Sequence, residues 1–120
     1  MRLARAETER EKGWCLGPWN ADLGISIGYA NAGIDAPHAH IRMTEIYLVA
    51  HGWAEARVER ETVRLGAGDV LVIDPAEAHT FLASSADYLH FVLHVPALPP
   101  DEARGDRVNV PRPRLGLSGP

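Results

Sequence analysis

From Leu23 to Val95 the chain either alternates apolar and polar positions with a period of two or runs through short β-branched blocks. Turn residues interrupt these segments at the spacing of an all-β sandwich or barrel, which leaves little room for helix. The pattern predicts strands over Leu23–Ala30, Glu45–Ala50, Trp53–Glu59, Thr62–Leu65, Val70–Ile73, Thr80–Ala83 and Tyr88–Val95. Turns fall at Gly52, Gly66–Asp69, Asp74–Ala78 and Ser84–Asp87, where Gly, Pro, Asp and Ser cluster. The first residues, up to about Lys12, are expected to form a short helix or an irregular arm. The tail after Val95 holds Pro96, Pro99, Pro100, Pro111, Pro113 and Pro120, which remove ladder donors and exclude a central strand or a long helix. It is expected to lie against the outside of the sandwich, with Asp106–Val110 able to add a short edge strand in this chain or in a partner.

Composition narrows the setting. A chain of 120 residues is expected to form one domain, with a barrel core over about 21–96 and a C-terminal arm over 97–120. Cys15 is the only cysteine, so no disulfide framework exists. Twelve basic against sixteen acidic residues give a net charge of −4, with the arginines dispersed. Neither nucleic acid nor an anionic membrane is indicated; a small-molecule ligand fits better. The opening stretch is charged throughout, and no apolar run reaches the length of a membrane span, so a cytoplasmic location is expected.

Chemistry concentrates between Gly33 and Gly52. Side chains two apart on a strand leave the same face with Cα atoms about 6.6 Å apart, so His38 and His40 can lean toward one ion. Glu45, at an odd offset from His40, would face the other way on an unbroken strand. A turn or bulge within Ile41–Thr44 is therefore required if it is to join them. His79, after the turn at Asp74–Ala78, can enter the same interior from a second strand. Three imidazoles and one carboxylate suit Fe, Mn, Ni, Co, Cu or Zn.

These residues carry a resemblance to a small single-domain cupin. The family's first motif is a glycine, His-x-His, a glutamate and a second glycine. Here these are Gly33, His38, His40, Glu45 and Gly52, with four residues between His40 and Glu45 and six between Glu45 and Gly52. The leading gap is one shorter than usual. The second motif is represented by Gly68, Asp69, Pro75 and His79, with Asp74 for a common proline, Ala76 for the turn glycine and Ala83 for a terminal asparagine. The resemblance implies an all-β, jelly-roll barrel of two antiparallel sheets, a divalent transition metal held by His38, His40, Glu45 and His79, and a homodimer.

Other residues are placed by parity. Tyr47 shares the face of Glu45 and is a candidate catalytic or pocket residue, although apolar packing is the commoner role for such a tyrosine. Phe81 is expected to wall the pocket, and Arg42 is a candidate for an anionic substrate at the mouth. His90 and His94 share one face of Tyr88–Val95, while Leu89, Phe91, Leu93 and Val95 form an apolar face. The apolar face is expected to be interior, which puts both histidines outside, solvated or in a dimer contact; the opposite choice makes His90 or His94 a base near the metal, and His90 is kept as a pocket candidate.

With few evident acid–base groups beyond the ligands, the expected reaction is one run by the ion itself, and a dioxygenase-type oxidoreductase is preferred. The alternatives are a metal-dependent isomerase or lyase acting on a sugar or carbonyl compound and a noncatalytic ligand-binding module, with a metal-free fold a weaker third.

Overall fold

The computed structural model describes residues 1–120. Ten strands run β1 Lys12–Leu16, β2 Ser26–Ala30, β3 His38–His40, β4 Thr44–His51, β5 Trp53–Val58, β6 Glu61–Gly66, β7 Val70–Ile73, β8 His79–Ser84, β9 Leu89–Val95 and β10 Arg107–Asn109. A short helix, α1, spans Pro100–Asp106, and a 3-10 turn spans Arg112–Leu115. The strands form two five-stranded sheets, ordered β1-β2-β9-β4-β7 and β10-β3-β8-β5-β6, with antiparallel pairing throughout. The alternation predicts an all-β sandwich or barrel, and the two antiparallel sheets are those that the cupin resemblance implies. No helix is long and apolar enough to cross a membrane.

Predicted and observed strands agree within a few residues in the middle of the chain. β1 and β3 are not among the strands that the pattern predicts, and β10 realises the edge strand allowed for the tail. β1, reading Lys-Gly-Trp-Cys-Leu, has no alternation, and it forms because β2 offers it an antiparallel edge. β10 pairs with β3 within the same chain, so the tail's short edge strand is intramolecular. The prolines do stop a long helix, but Pro100 at the first position of α1 starts a short one, where a missing N–H costs nothing.

The interior is divided. Val49, Ala54, Ala56, Leu65, Ile73 and Tyr88 pack one end as a dry core together with Tyr47 and Phe81. At the other end the inward residues of β2 are small, Ser26, Gly28 and Ala30, and lie in register opposite His94, Val92 and His90 of β9. A cavity of about 810 Å³ opens there.

Two motif glycines have steric reasons. A Cβ at Gly33 would sit 2.8 Å from Cβ of Phe81. Gly52 turns β4 into β5 at φ +71°, and a Cβ there would collide with the Ser85 hydroxyl. Ala76, standing where a glycine is usual, still adopts φ +71°. The conformation costs about 1 kcal/mol in a non-glycine residue. It is held by Ala76 N donating to the His40 carbonyl at 2.6 Å and by Arg114 Nη2 donating to the Ala76 carbonyl at 3.1 Å.

The turn required between His40 and Glu45 is present, because β3 and β4 belong to different sheets. Its orphan amides are satisfied from the far end of the chain. Arg42 N donates to Asp106 Oδ1 at 2.8 Å and Met43 N to Oδ2 at 3.2 Å, while Ile41 N donates to the Asp106 carbonyl at 3.0 Å. The Asp106 side chain is fully buried. Replacing it with alanine leaves two amides unpaired, so Asp106→Ala is expected to lower the unfolding free energy by about 2–3 kcal/mol in a denaturant titration, with Asp106→Asn losing less.

Candidate metal centre

β3 and β8 present His38, His40 and His79 from one sheet, and β4 presents Glu45 from the other. His38 and His79 are register partners, with ring centroids 4.4 Å apart. All three Nε2 atoms converge on Glu45 Oε1: His79 at 2.8 Å, His40 at 3.4 Å and His38 at 3.7 Å. Each of the three rings named from the sequence reaches Glu45, but the donor atoms that lie within 4.8 Å of one another form two groups sharing that carboxylate, His38–Glu45–His79 and His40–Glu45–His94. Glu45 is 4% exposed and His79 2%.

The backs of the rings are anchored. His38 Nδ1 lies 2.7 Å from the Ala36 carbonyl and His79 Nδ1 3.1 Å from the Glu77 carbonyl. A carbonyl only accepts, so each Nδ1 carries the proton, and in the neutral ring Nε2 aims a lone pair inward. Behind His40 stands Asp106, Oδ2 to Nδ1 at 3.5 Å, too far off for a hydrogen bond. Lone pairs converging on a buried carboxylate repel unless a cation lies between them. His40 Nδ1 and Glu45 Oε1 are in fact buried with no hydrogen-bond partner, since His79 is close to Oε1 but out of line. Burial pushes the His40 imidazole down to about 4, an effect that Glu45 opposes and the neighbouring histidines reinforce, so the ring is neutral near pH 7. Burial alone would raise the Glu45 carboxyl; hydrogen-bond donation from the surrounding imidazoles, of which His94 Nε2–H to Oε2 is the one formed, opposes it and holds the group well below the usual carboxylate range. A borderline nitrogen-and-oxygen donor set of this kind fits a divalent transition metal.

Glu45 Oε2 faces the other way. It accepts from the Tyr47 hydroxyl at 3.2 Å and lies 2.9 Å from His94 Nε2. His94 is in register with Glu45 across β4 and β9 and completes a second potential metal-holding group with His40 and Glu45. This corrects the expectation that His90 and His94 lie outside. Both line the cavity, and His90 is 4% exposed. Alternation fixes which residues share a face but not which face is inward. On this sheet the outer side is the apolar one, with Val70, Val72 and Leu48 exposed on β7 and β4.

The remaining candidates fall on both sides of the wall. Tyr47 and Phe81 line the cavity, their rings 5.2 Å apart. Burial, then the charge of and hydrogen bond to Glu45, raise the Tyr47 hydroxyl well above its ordinary value, so it stays protonated. His90 sits on the cavity floor, with Nδ1 2.7 Å from the Tyr88 hydroxyl. Arg42 is not a pocket residue. Its guanidinium turns outward to Asp106, 3.6 Å away, and to Glu102. His94 and Asp106 are the site residues that sequence reasoning underrated. The offset of His94 from His90 placed both on one face, and only the pairing with β4 reveals that this face is inward.

A family model described as "Cupin domain" matches residues 28–95. The chain belongs to the cupin family. Among solved structures it is similar to Pac13 of Streptomyces, a nucleoside dehydratase, with 16% identity, a TM-score of 0.67, and 91% of this chain and 92% of that one covered. It is also similar to KdgF from Halomonas sp., with 24% identity, a TM-score of 0.63 and coverage of 76% and 81%. Ectoine synthase from P. lautus gives 18%, 0.63, and 83% and 75%. At these identities the likeness shows the fold. No curated protein matches by sequence.

The buried His90 ring yields a pH prediction. Burial lowers its pKa from 6.5 to about 4, with Glu45 acting weakly the other way. Between these values the unfolded chain binds the proton more tightly than the folded one. The contribution is therefore complete above pH 6.5 and is lost as pH falls toward 4. In metal-free protein, the drop in unfolding free energy between pH 7 and pH 4 should be smaller in His90→Gln than in the wild type, by up to about 3 kcal/mol.

Proposed function

We propose that this cupin is a metal-dependent lyase of the dehydratase type, acting on a small carbonyl compound. The observation that carries the reading is the sharing of Glu45 Oε2 by two proton-handling groups, Tyr47 and His94, at the cavity wall. The sequence favours dioxygenase chemistry because such groups are not evident in it; with His94 turned inward that reason disappears. The similarity in fold to a nucleoside dehydratase is consistent with elimination chemistry.

His38, His40, Glu45 and His79 would hold the ion, which would supply Lewis acidity to polarise a substrate carbonyl. The chain's own residues handle the protons. With its Nε2 committed to Glu45 Oε2, His94 offers Nδ1 as the base for the proton α to the carbonyl. The electron pair of that C–H bond forms the double bond, and the β C–O bond breaks. Tyr47, held protonated by burial beside a carboxylate, donates its proton to the departing oxygen, releasing water. Because both groups rest on Oε2, His94 can pass its Nε2 proton through the carboxylate to Tyr47, and exchange of the Nδ1 proton with water restores the starting tautomer. The packed end of the barrel closes off bulk water behind them.

The protein purified without a metal-affinity tag is expected to bind one equivalent of zinc or manganese, and His38→Ala or Glu45→Gln to abolish that binding. A panel of β-hydroxy aldehydes, β-hydroxy ketones and uronates, incubated without oxygen, should give a conjugated carbonyl product detectable by its ultraviolet absorbance. Tyr47→Phe should lower kcat by about 10²–10⁴ while keeping the metal. Turnover that consumes oxygen would restore the oxygenase, and tight ligand retention without turnover would make the protein a binding module.

We also propose a homodimer formed through the exposed apolar side of β4 and β7, at Leu48, Val70 and Val72. Light scattering on a sizing column should give twice the chain mass, and Val70→Glu with Val72→Glu should give a monomer.

A further inference from the structure

The cavity mouth carries charge that the metal centre does not use. Among the residues lining it the only carboxylate is Glu45, which is committed to the histidines. Three cations line the same space from three elements: Lys12 at the start of β1, Arg104 in the last turn of α1 and Arg107 opening β10. Arg107 is in register with His40. Cross-strand partners share a face, so Arg107 leaves the sheet on the side from which His40 reaches the metal centre.

None of the three cations has an ion-pair or side-chain hydrogen-bond partner. Elsewhere on the barrel the arginines are occupied: Arg42 by Asp106, Arg57 by Thr62 and the Leu115 carbonyl, Arg64 by Glu55, Arg112 by Asp35 and Arg114 by Glu59. A chain of net charge −4 thus leaves three cations unpaired around the cavity that holds the buried carboxylate, the other arginines without a partner being Arg2 and Arg5 of the N-terminal arm. Beside these cations Trp14 and Trp19, each about half exposed, meet edge to face with ring centroids 6.2 Å apart, and Trp14 lies 5.0 Å from His94.

Resting on the metal-centred reading above, we infer that the substrate is a small organic anion with a flat ring. Arg104 and Arg107, with Lys12, hold its carboxylate or phosphate, and the ring lies against Trp14 and Trp19. Guanidinium forks suit planar or tetrahedral oxyanions, and half-exposed indoles offer an apolar face at little ordering cost. The anionic end stays at the mouth while the reactive carbon reaches His94.

The test uses phenylacetate, phenyl phosphate and the neutral phenylacetamide in calorimetric titrations of zinc-loaded and chelator-stripped protein. At least one of the two anions should bind about tenfold tighter than the amide in both forms. The tighter of the two identifies the acid group. The Arg104→Gln, Arg107→Gln double variant should lose most of this preference with zinc stoichiometry and thermal midpoint unchanged, and added salt should weaken the wild-type preference. Equal binding of anions and amide, or binding of none of them, overturns the inference. So does a preference that vanishes on stripping the metal yet survives in the double variant, since the acid group would then sit on the ion. Failure of the metal reading looks different: zinc does not bind, while the anion preference of the stripped protein persists.

Discussion

The buried carboxylate of Glu45 is the constraint around which the barrel is arranged. A carboxylate that is 4% exposed costs several kcal/mol of desolvation unless its surroundings compensate. Here compensation comes from both sheets at once. Glu45 rides on β4, His94 reaches it from β9 in the same sheet, and His38, His40 and His79 reach it from β3 and β8 in the other. The two oxygens divide the work. Oε1 faces the three imidazoles that would share an ion, and Oε2 faces Tyr47 and His94. The site therefore exists only when the two sheets close at this register, and a slip of one residue in β4 would turn Glu45 toward solvent.

That closure needs support from outside the barrel strands. Four residues separate His40 from Glu45, and in that distance the chain must leave one sheet and enter the other. The turn exposes backbone amides in a buried place, and Asp106, at the end of α1, accepts from two of them while standing behind His40. Leu115, buried with Ala39 and Ala78, pins the rest of the tail beneath β3 and the Ala76 turn. The C-terminal arm is thus part of the frame of the candidate metal centre. It also carries Arg104 and Arg107 to the cavity mouth, so one segment braces the inner site and furnishes its entrance.

Much of this was legible in the sequence because it rests on local spacing. Period-two alternation located the central strands, and the spacing of His38, His40, Glu45 and His79 named the convergent donors together with the turn they require. What stayed hidden depends on long-range pairing. The parity of β9 grouped His90 with His94 correctly, but a strand with one apolar and one mixed face does not announce which is buried. The apolar side is usually inward; in this sheet the interior holds polar chemistry and the outside keeps Val70 and Val72 exposed. Asp106 acts across more than sixty positions and leaves no local signature. Ala76 shows the converse: a departure from the family's glycine leaves the turn intact, because hydrogen bonds to His40 and Arg114 hold the left-handed backbone.

The division of the interior explains how one small domain can carry so much buried polarity. A cluster of four imidazoles, a phenol and a carboxylate contributes little net stability, and any member left unpaired is costly. The packed end supplies what the site does not: Ala54, Ala56, Leu65, Ile73 and Tyr88 interlock where β5, β6 and β8 meet β4 and β7. Tyr47 and Phe81 belong to that core and to the cavity wall at the same time. Their rings transmit the rigidity of the apolar end to the polar one, which fixes the Tyr47 hydroxyl against Glu45 without help from solvent. Small residues on β2 then leave room for a ligand on the side of the cluster away from the core. Stability and chemistry are placed at opposite ends of one interior, and the strand that carries Glu45 and Tyr47 runs between them.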